Sequence, residues 1–161
     1  MSIELLHLLL LIIIANGAPI VIRVLLNDSF NLAVDFGVKL PDNKPIFGSS
    51  KTWRGIFSAL ASTPIAAWLF GYSPETGLLV ATYAVLGDLT SSFIKRRLAM
   101  APSSRAPMLD QVPESLFPAL MMMQTFKLTI SSLILLILIF VITEILLSYI
   151  LYQWGIRKRP Y

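Results

Sequence analysis

The chain has 161 residues, of which 56% are hydrophobic and 14% charged, and its mean hydropathy is +0.75. This composition is typical of an integral membrane protein with a single domain. The absence of cysteine excludes disulfides, thiolate metal sites and cysteine nucleophiles, and the single histidine, His7, excludes a histidine-rich metal centre. A catalytic metal would therefore be held by carboxylates, which favours Mg²⁺. The net charge of +4 does not indicate a nucleic-acid partner, because positive charge beside apolar spans is normal in membrane proteins.

Five apolar stretches predict five transmembrane helices, because each approaches the ~20 residues needed to cross the bilayer. In the first stretch, Asn16 and Pro19 predict a kink or local unwinding. The fourth reaches spanning length only by starting near Leu109, which brings Asp110 and Glu114 into its first turns; a re-entrant segment is the alternative. No basic region precedes the first stretch, so no cleaved signal peptide is expected. The stretches cover approximately residues 3–26, 53–70, 77–94, 109–126 and 130–154.

The basic residues are distributed asymmetrically about these spans. Twelve of the 13 lie on one side: Arg23, four residues within 27–54, four within 95–114 and three in the C-terminal tail. By the positive-inside rule, that side faces the cytoplasm, with the N-terminus outside and the C-terminus inside. The cytoplasmic loops 27–52 and 95–113 then share one face. The first loop is rich in Pro, Gly and Asp, and we expect it to be a mobile lid.

Asp88 follows a long apolar run, where an ionised carboxylate is costly unless it is paired or bound to a metal. The third span itself offers no cationic partner. On a helix, Ser92 and Lys95 share a stripe with Asp88, and Arg96 lies about 80° away. An acid, a hydroxyl and cations in this arrangement could hold a metal-bound triphosphate. The alternative is an ordinary helix face whose basic end is anchored among the lipid headgroups.

Asp110 opens the fourth segment and could meet Asp88 at the cytoplasmic mouth. Two converging carboxylates would bridge one or two Mg²⁺ ions that clamp phosphate oxygens. An ordinary helix N-cap is the alternative for Asp110. The segment 49–55 resembles a phosphate-binding entry into a helix, because it combines hydroxyls with Lys51 and Arg54. The alternative is that this segment is the capped, positively charged start of a helix, which anchors the helix at the membrane surface with Trp53 in the interface.

Three of these segments resemble elements of the CDP-diacylglycerol synthase (phosphatidate cytidylyltransferase) family. Residues 50–55 (SKTWRG) are similar to its SPKKTWEG-type motif, residues 87–96 (GDLTSSFIKR) to its GD…SxxKR segment, and residues 109–111 (LDQ) to its LDR element. Further blocks at 15–19, 35–37 and 44–48 resemble the archaeal branch, the CDP-archaeol synthases.

The resemblance implies an all-α membrane enzyme that transfers CMP from CTP to a lipid phosphate, with Mg²⁺ as cofactor and pyrophosphate as the second product. For the archaeal branch, the implied acceptor is an unsaturated ether lipid, 2,3-di-O-geranylgeranylglycerol 1-phosphate. The lipid chains would enter laterally from the membrane between the spans, and the headgroup would meet CTP at the cytoplasmic mouth.

The resemblance also implies roles for individual residues. Asp88 and Asp110 are the metal ligands and act in catalysis together with Lys51 and Lys95. The chain lacks the second Asp of the family's final element, which makes Glu114 the candidate third ligand. The residues that would contact the substrates are Asn16, Ser50, Thr52, Arg54, Ser92, Arg96, Arg97 and Gln111.

A membrane transporter or channel with an ion site at its cytoplasmic face is the competing interpretation. The first and fourth spans are interrupted by polar residues, as the broken helices of transporters are. Against it, the polar residues cluster at one face rather than at the midplane, and no inverted repeat is visible.

Overall fold

Five α-helices form the regular structure of the part of the chain that the computed structural model describes, residues 2–27, 29–101, 104, 106 and 108–156. Arg105 and the basic tail residues 157–159, which the topology prediction counts, lie outside the described residues. The all-α prediction is confirmed. The helices are α1 (Ile3–Leu26), α2 (Trp53–Leu69), α3 (Pro74–Arg97), α4 (Gln111–Met121) and α5 (Ile130–Gln153).

Four of these helices have a serine or threonine as their N-cap residue. Each accepts a hydrogen bond from the backbone N–H three residues later, which satisfies one of the N–H groups that a helix leaves unpaired at its start. The four N-cap residues are Ser2, Thr52, Ser73 and Thr129. α1 continues through Asn16 and Pro19, so the local unwinding predicted there is wrong. The side-chain amide of Asn16 instead donates to the carbonyl of Ile12, 3.0 Å away, within the same helix.

Three of the helices, α1, α3 and α5, are long and apolar enough to cross a membrane. α2 has 17 residues, which is at the lower limit of the length that a full crossing requires. α3 is longer than the predicted stretch and includes Lys95–Arg97, so the loop after it begins at Leu98 rather than at residue 95.

The fourth segment is helical only over the 11 residues of α4, or about 16 Å, so the prediction of a spanning helix there is wrong. Turns over residues 122–127 carry the chain further, and the Phe126 ring lies 4.9 Å from the Tyr72 ring, just before α3 begins. At its other end, Asp110 pairs with Lys95 near the end of α3. Helix and turns together therefore run antiparallel along most of α3.

Two glycines on α3 allow neighbouring helices to approach closely. A Cβ atom at Gly87 would lie 2.5 Å from the carbonyl carbon of Pro113 and 2.8 Å from the Cα of Glu114, both backbone atoms of α4. A Cβ at Gly77 would lie 2.6 Å from the Cα of Pro64 in α2. Side chains cannot occupy these spaces unless a backbone shifts, so α3 packs directly against the backbones of α2 and α4.

Gly87→Ala is therefore expected to destabilise the protein by about 1–3 kcal/mol, the usual range for overpacking a tight contact. The measurement is thermal unfolding in detergent. Gly17→Ala is the control, because a Cβ at Gly17 meets nothing within 4 Å and alanine favours a helix interior. Equal stability of Gly87→Ala and the wild type would contradict the direct contact between α3 and α4.

The loop from residue 27 to 52 is organised around a buried acid, Asp35, which is 5% exposed. Its carboxylate accepts hydrogen bonds from the backbone N–H groups of Gly37, Phe47 and Gly48 at 3.1, 2.9 and 2.8 Å. Burial by itself would raise the pKa of Asp35, but these hydrogen bonds to the ionised form outweigh it and lower the pKa. The stabilisation of the loop by this carboxylate is present above the ordinary carboxyl pKa of about 4 and is lost as the pH falls through the lowered value.

Candidate active site

Charged side chains from three parts of the chain converge between α2, α3 and α4. Lys51 lies two residues before α2 begins. Asp88 and Lys95 lie on α3, and Asp110 and Glu114 lie at the start of α4. We call these five residues the charged cluster. Asp88 is nine residues before the last residue of α3, so the cluster begins about 13 Å inside the end of that helix.

The first ion pair of the cluster joins Lys51 and Asp88. The Lys51 ammonium donates to Oδ1 of Asp88 at 2.5 Å, and both side chains are about one quarter exposed, at 25% and 26%. The third span contains no cation that could pair with Asp88. Lys51, which lies 37 residues earlier in the chain, provides it. The Glu114 side chain also lies close to Asp88. The backbone of Glu114 comes near α3 at Gly87, which brings the two acids together.

The second ion pair joins Lys95 and Asp110, whose Nζ and Oδ1 atoms are 2.6 Å apart. Lys95 also donates to the Ser104 carbonyl at 3.1 Å, and Asp110 accepts from the Ala106 N–H at 3.1 Å. Asp110 occupies the N-cap position of α4, but its backbone is helical and its side chain makes no capping hydrogen bond. The ordinary N-cap alternative for Asp110 is therefore wrong.

The chemistry of the cluster fits a hard divalent cation. Asp88 and Glu114 place two carboxyl groups close together, and carboxylate oxygens are the ligands that Mg²⁺ prefers. Within the described ranges, no group of three acidic or histidine side chains is already arranged around a metal position. The structure brings Glu114 close to Asp88, whereas Asp110 is paired with Lys95.

Two of the residues predicted to contact the substrates also fasten the loop from 27 to 52. Arg97 donates to the Asp42 carboxylate and to the Pro45 carbonyl, both at 2.5 Å, and its own carbonyl accepts from the Lys44 ammonium at 2.9 Å. Arg54 donates to the carbonyls of Asn27 and Ser29. The sequence analysis did not predict that Asp42 and Lys44 bind Arg97. The only signal for it in the sequence is the Asp42-Asn43 pair, which is typical of a turn.

The remaining predicted residues have varied positions. Thr52 caps α2, Gln111 accepts from the Met108 N–H at 3.0 Å, and Ser92 is 2% exposed on α3. Ser50 lies exposed in the turn before Lys51. Arg96 is 3% exposed and lines a separate cavity.

An apolar groove with a volume of about 500 Å³ runs between the end of α1, the loop and the start of α2. The large hydrophobic side chains Phe30 and Phe57, which line it, are 80% and 62% exposed. Arg54 lies in the same groove and supplies a positive charge. The other lining residues are Ile22, Leu26, Leu32, Trp53 and Ser58.

Comparisons with known proteins indicate one enzyme family. A family model described as "CarS-like: CDP-archaeol synthase" matches residues 70–161. The CDP-archaeol synthase of Pyrococcus furiosus is 36% identical over 60% of this chain and 60% of its own length, and that of Methanococcus maripaludis is 29% identical over 90% and 88%. This chain spans 51–60% of the length of the first three curated relatives it matches.

A solved structure also resembles this fold. It is described as an intramembrane enzyme for archaeal membrane lipids biosynthesis, and it matches with a TM-score of 0.75 and 26% sequence identity over 88% of this chain and 90% of its own. The family model covers more than half of this chain, and α3 and α4 with four of the five residues of the charged cluster lie inside the match. The chain therefore belongs to the CDP-archaeol synthase family.

Proposed function

We propose that this protein transfers CMP from CTP to the phosphate of an archaeal ether lipid, 2,3-di-O-geranylgeranylglycerol 1-phosphate. A lipid phosphate oxygen forms a bond to the α-phosphorus of CTP. The bond from that phosphorus to the oxygen bridging the β-phosphorus breaks, and pyrophosphate leaves with the electron pair. The observation that carries the proposal is the charged cluster, two lysine–carboxylate pairs and a further carboxyl, inside an apolar helical bundle.

The chain's own residues bind and align two anionic reactants. Lys51 and Lys95 present ammonium groups with three donors each, and the donors that neither the carboxylates nor the Ser104 carbonyl use can bind phosphate oxygens. The attacking phosphate is already ionised near neutral pH, so no general base is needed to activate it. Alignment of the two phosphates and neutralisation of their charge then supply most of the rate.

Mg²⁺ fits the acidic part of the cluster, where Asp88 and Glu114 would hold it with Asp110 beside them. When bound, this ion neutralises charge on the phosphate oxygens and on the leaving group. The lysines that pair with Asp88 and Asp110 supply the opposite charges that carboxylates need in an apolar surrounding.

The groove next to Arg54 suits the lipid substrate. Its exposed aromatic and aliphatic side chains can contact an isoprenoid chain, while Arg54 attracts the phosphate at its end. The positive-inside rule places the end of α3 and the C-terminus in the cytoplasm, where CTP is available, and the N-terminus outside. The continuous α1 removes one of the two broken spans on which the transporter interpretation depends.

The test is a reaction with purified protein in detergent, radiolabelled CTP, Mg²⁺ and the geranylgeranyl ether lipid phosphate. The expected result is label in the lipid extract together with stoichiometric pyrophosphate. A dialkyl lipid phosphate with saturated chains is the comparison for chain preference. Failure of every lipid phosphate to yield a nucleotide-lipid product would overturn the proposal.

A further inference from the structure

Exposed hydrophobic side chains lie in the loop that joins α1 to α2. At residues 36–39, which we call the loop tip, Phe36 is 65% and Val38 is 53% exposed, and the exposed Lys39 follows them. Neither Phe36 nor Val38 lines the apolar groove beside Arg54. Exposed apolar side chains grouped beside a charge are typical of surfaces that contact another molecule or a membrane. The loop tip is therefore a candidate contact surface.

The backbone holds the loop tip in a defined shape. Phe36 has a φ of 49°, a left-handed conformation that is unusual for a bulky residue. The residue before it, Asp35, is buried, and its carboxylate accepts hydrogen bonds from three backbone N–H groups of the loop. The Val38 N–H donates to the Asp35 carbonyl at 2.8 Å. The fold thus stabilises a strained turn that keeps an aromatic ring exposed, and strained positions of this kind are concentrated at functional sites.

A row of aromatic rings connects the loop tip to α2. The ring centroids of Phe36 and Trp53 are 6.3 Å apart, and those of Trp53 and Phe57 are 5.9 Å apart. Trp53 is the first residue of α2, and Phe57 lies one turn further along the helix, where it is 62% exposed. Phe36 therefore lies beside the start of α2, on the side of the helix that carries Phe57.

This side of α2 has the character of a lipid-facing surface. Ala61, Ile65 and Trp68 follow Phe57 at helical spacing and share one helix face with it. Ile65 and Trp68 are 61% and 66% exposed, and Ala61 is exposed as well. Trp53 and Trp68 lie close to the two ends of α2, and tryptophan is enriched at both interfaces between membrane and water. The loop tip is thus level with one interface and continuous with the lipid-facing side of α2.

We propose that the loop tip inserts into the interfacial layer of the membrane, with Phe36 and Val38 among the upper parts of the acyl chains. Lys39 lies beside the headgroup phosphates, because its long stem can stay in apolar surroundings while its ammonium group reaches the polar layer. A second copy of the chain fits this surface less well, because the row of rings continues directly onto a face that lipid covers. The inference concerns the bilayer and does not depend on the proposed reaction.

The experiment places a fluorescent label at the loop tip. Because the chain contains no cysteine, Phe36→Cys provides a single attachment site for the environment-sensitive dye NBD. The labelled protein is reconstituted into phosphatidylcholine vesicles. It is then quenched either by phospholipids with a nitroxide at the top of the acyl chain or by iodide on both sides of the membrane. The label at residue 36 is expected to lose most of its fluorescence to the nitroxide lipids and little to iodide.

Ser49→Cys is the matched control, because Ser49 is an exposed polar residue of the same loop, and its label should show the reverse pattern. Quenching of the residue 36 label by iodide alone would show that the loop tip lies in water and would overturn the inference. Protection from both quenchers would place the tip against protein, such as a second copy of the chain, and would overturn it equally.

Should Phe36→Cys fail to fold in detergent, Val38→Cys labels the same tip without changing the residue in the left-handed conformation, and the same two quenchers decide. None of these measurements requires enzyme activity. A protein that makes no nucleotide-lipid would therefore defeat the proposed function alone, whereas iodide quenching at the loop tip of an active enzyme would defeat only this inference.

Discussion

Asp88→Asn is expected to lower kcat by about 10²–10³-fold while the protein remains folded, the range found when one electrostatic contact to a transition state is removed. Asparagine preserves the shape of the side chain but removes the charge that pairs with Lys51 and that would bind Mg²⁺. Because both side chains are about one quarter exposed, the unpaired Lys51 ammonium should cost less stability than a fully buried charge would.

The measurement is activity as a function of Mg²⁺ concentration, after thermal unfolding in detergent has shown that the variant is folded. Asp88→Glu retains the negative charge on a side chain that is one methylene group longer, and it should keep more activity than Asp88→Asn. Glu75→Gln serves as the control, because Glu75 is an exposed acid in the first turn of the same helix. Near-normal rates and an unchanged Mg²⁺ requirement in Asp88→Asn would place the metal site elsewhere.

Glu114→Gln is expected to raise the Mg²⁺ concentration needed for half-maximal activity by at least about tenfold. Glu114 lies close to Asp88 and is 8% exposed, so its carboxyl is positioned to share a cation with Asp88. Glutamine fills the same space and can still donate a hydrogen bond to Asp88, so the packing of α4 on α3 should persist.

The matched control for this change is again Glu75→Gln, which makes the same chemical substitution at the other end of α3. Asp110→Asn, measured in parallel, tests whether the acid held by Lys95 belongs to the same metal site. If Glu114→Gln has the Mg²⁺ dependence of the wild type, Glu114 has a structural role and Asp88 does not share a metal with it.

The positions of the helices could largely be predicted from the sequence, because they depend on local features. α1 has the predicted bounds, and α5 ends one residue earlier than predicted, since long apolar runs preceded by a hydroxyl residue define a helix and its N-cap. The end of α3 was misplaced because Lys95–Arg97 were assigned to a loop on account of their charge. Each of these side chains nevertheless donates a hydrogen bond to a carbonyl or carboxylate group outside the helix.

The acidic and basic residues of the site could be predicted, but their partners could not. Asp88 could be recognised because an acid beside an apolar run is costly. Its pairing with Lys51 depends on how α2 lies against α3, and periodicity within one helix carries no such information. For the same reason Arg97 and Arg54, taken as substrate contacts, were not recognised as residues that fasten the loop.

The Gly87–Asp88 pair has a consequence for reading other membrane sequences. An acid within a span raises the question of which residue neutralises it, and hydropathy alone gives no answer. A glycine directly before the acid marks the turn at which another backbone can touch the helix, and in this chain that backbone belongs to Glu114, whose side chain reaches the acid. The smallest residue of the motif thus lies where a neighbouring helix touches α3, and the acid beside it carries the charge.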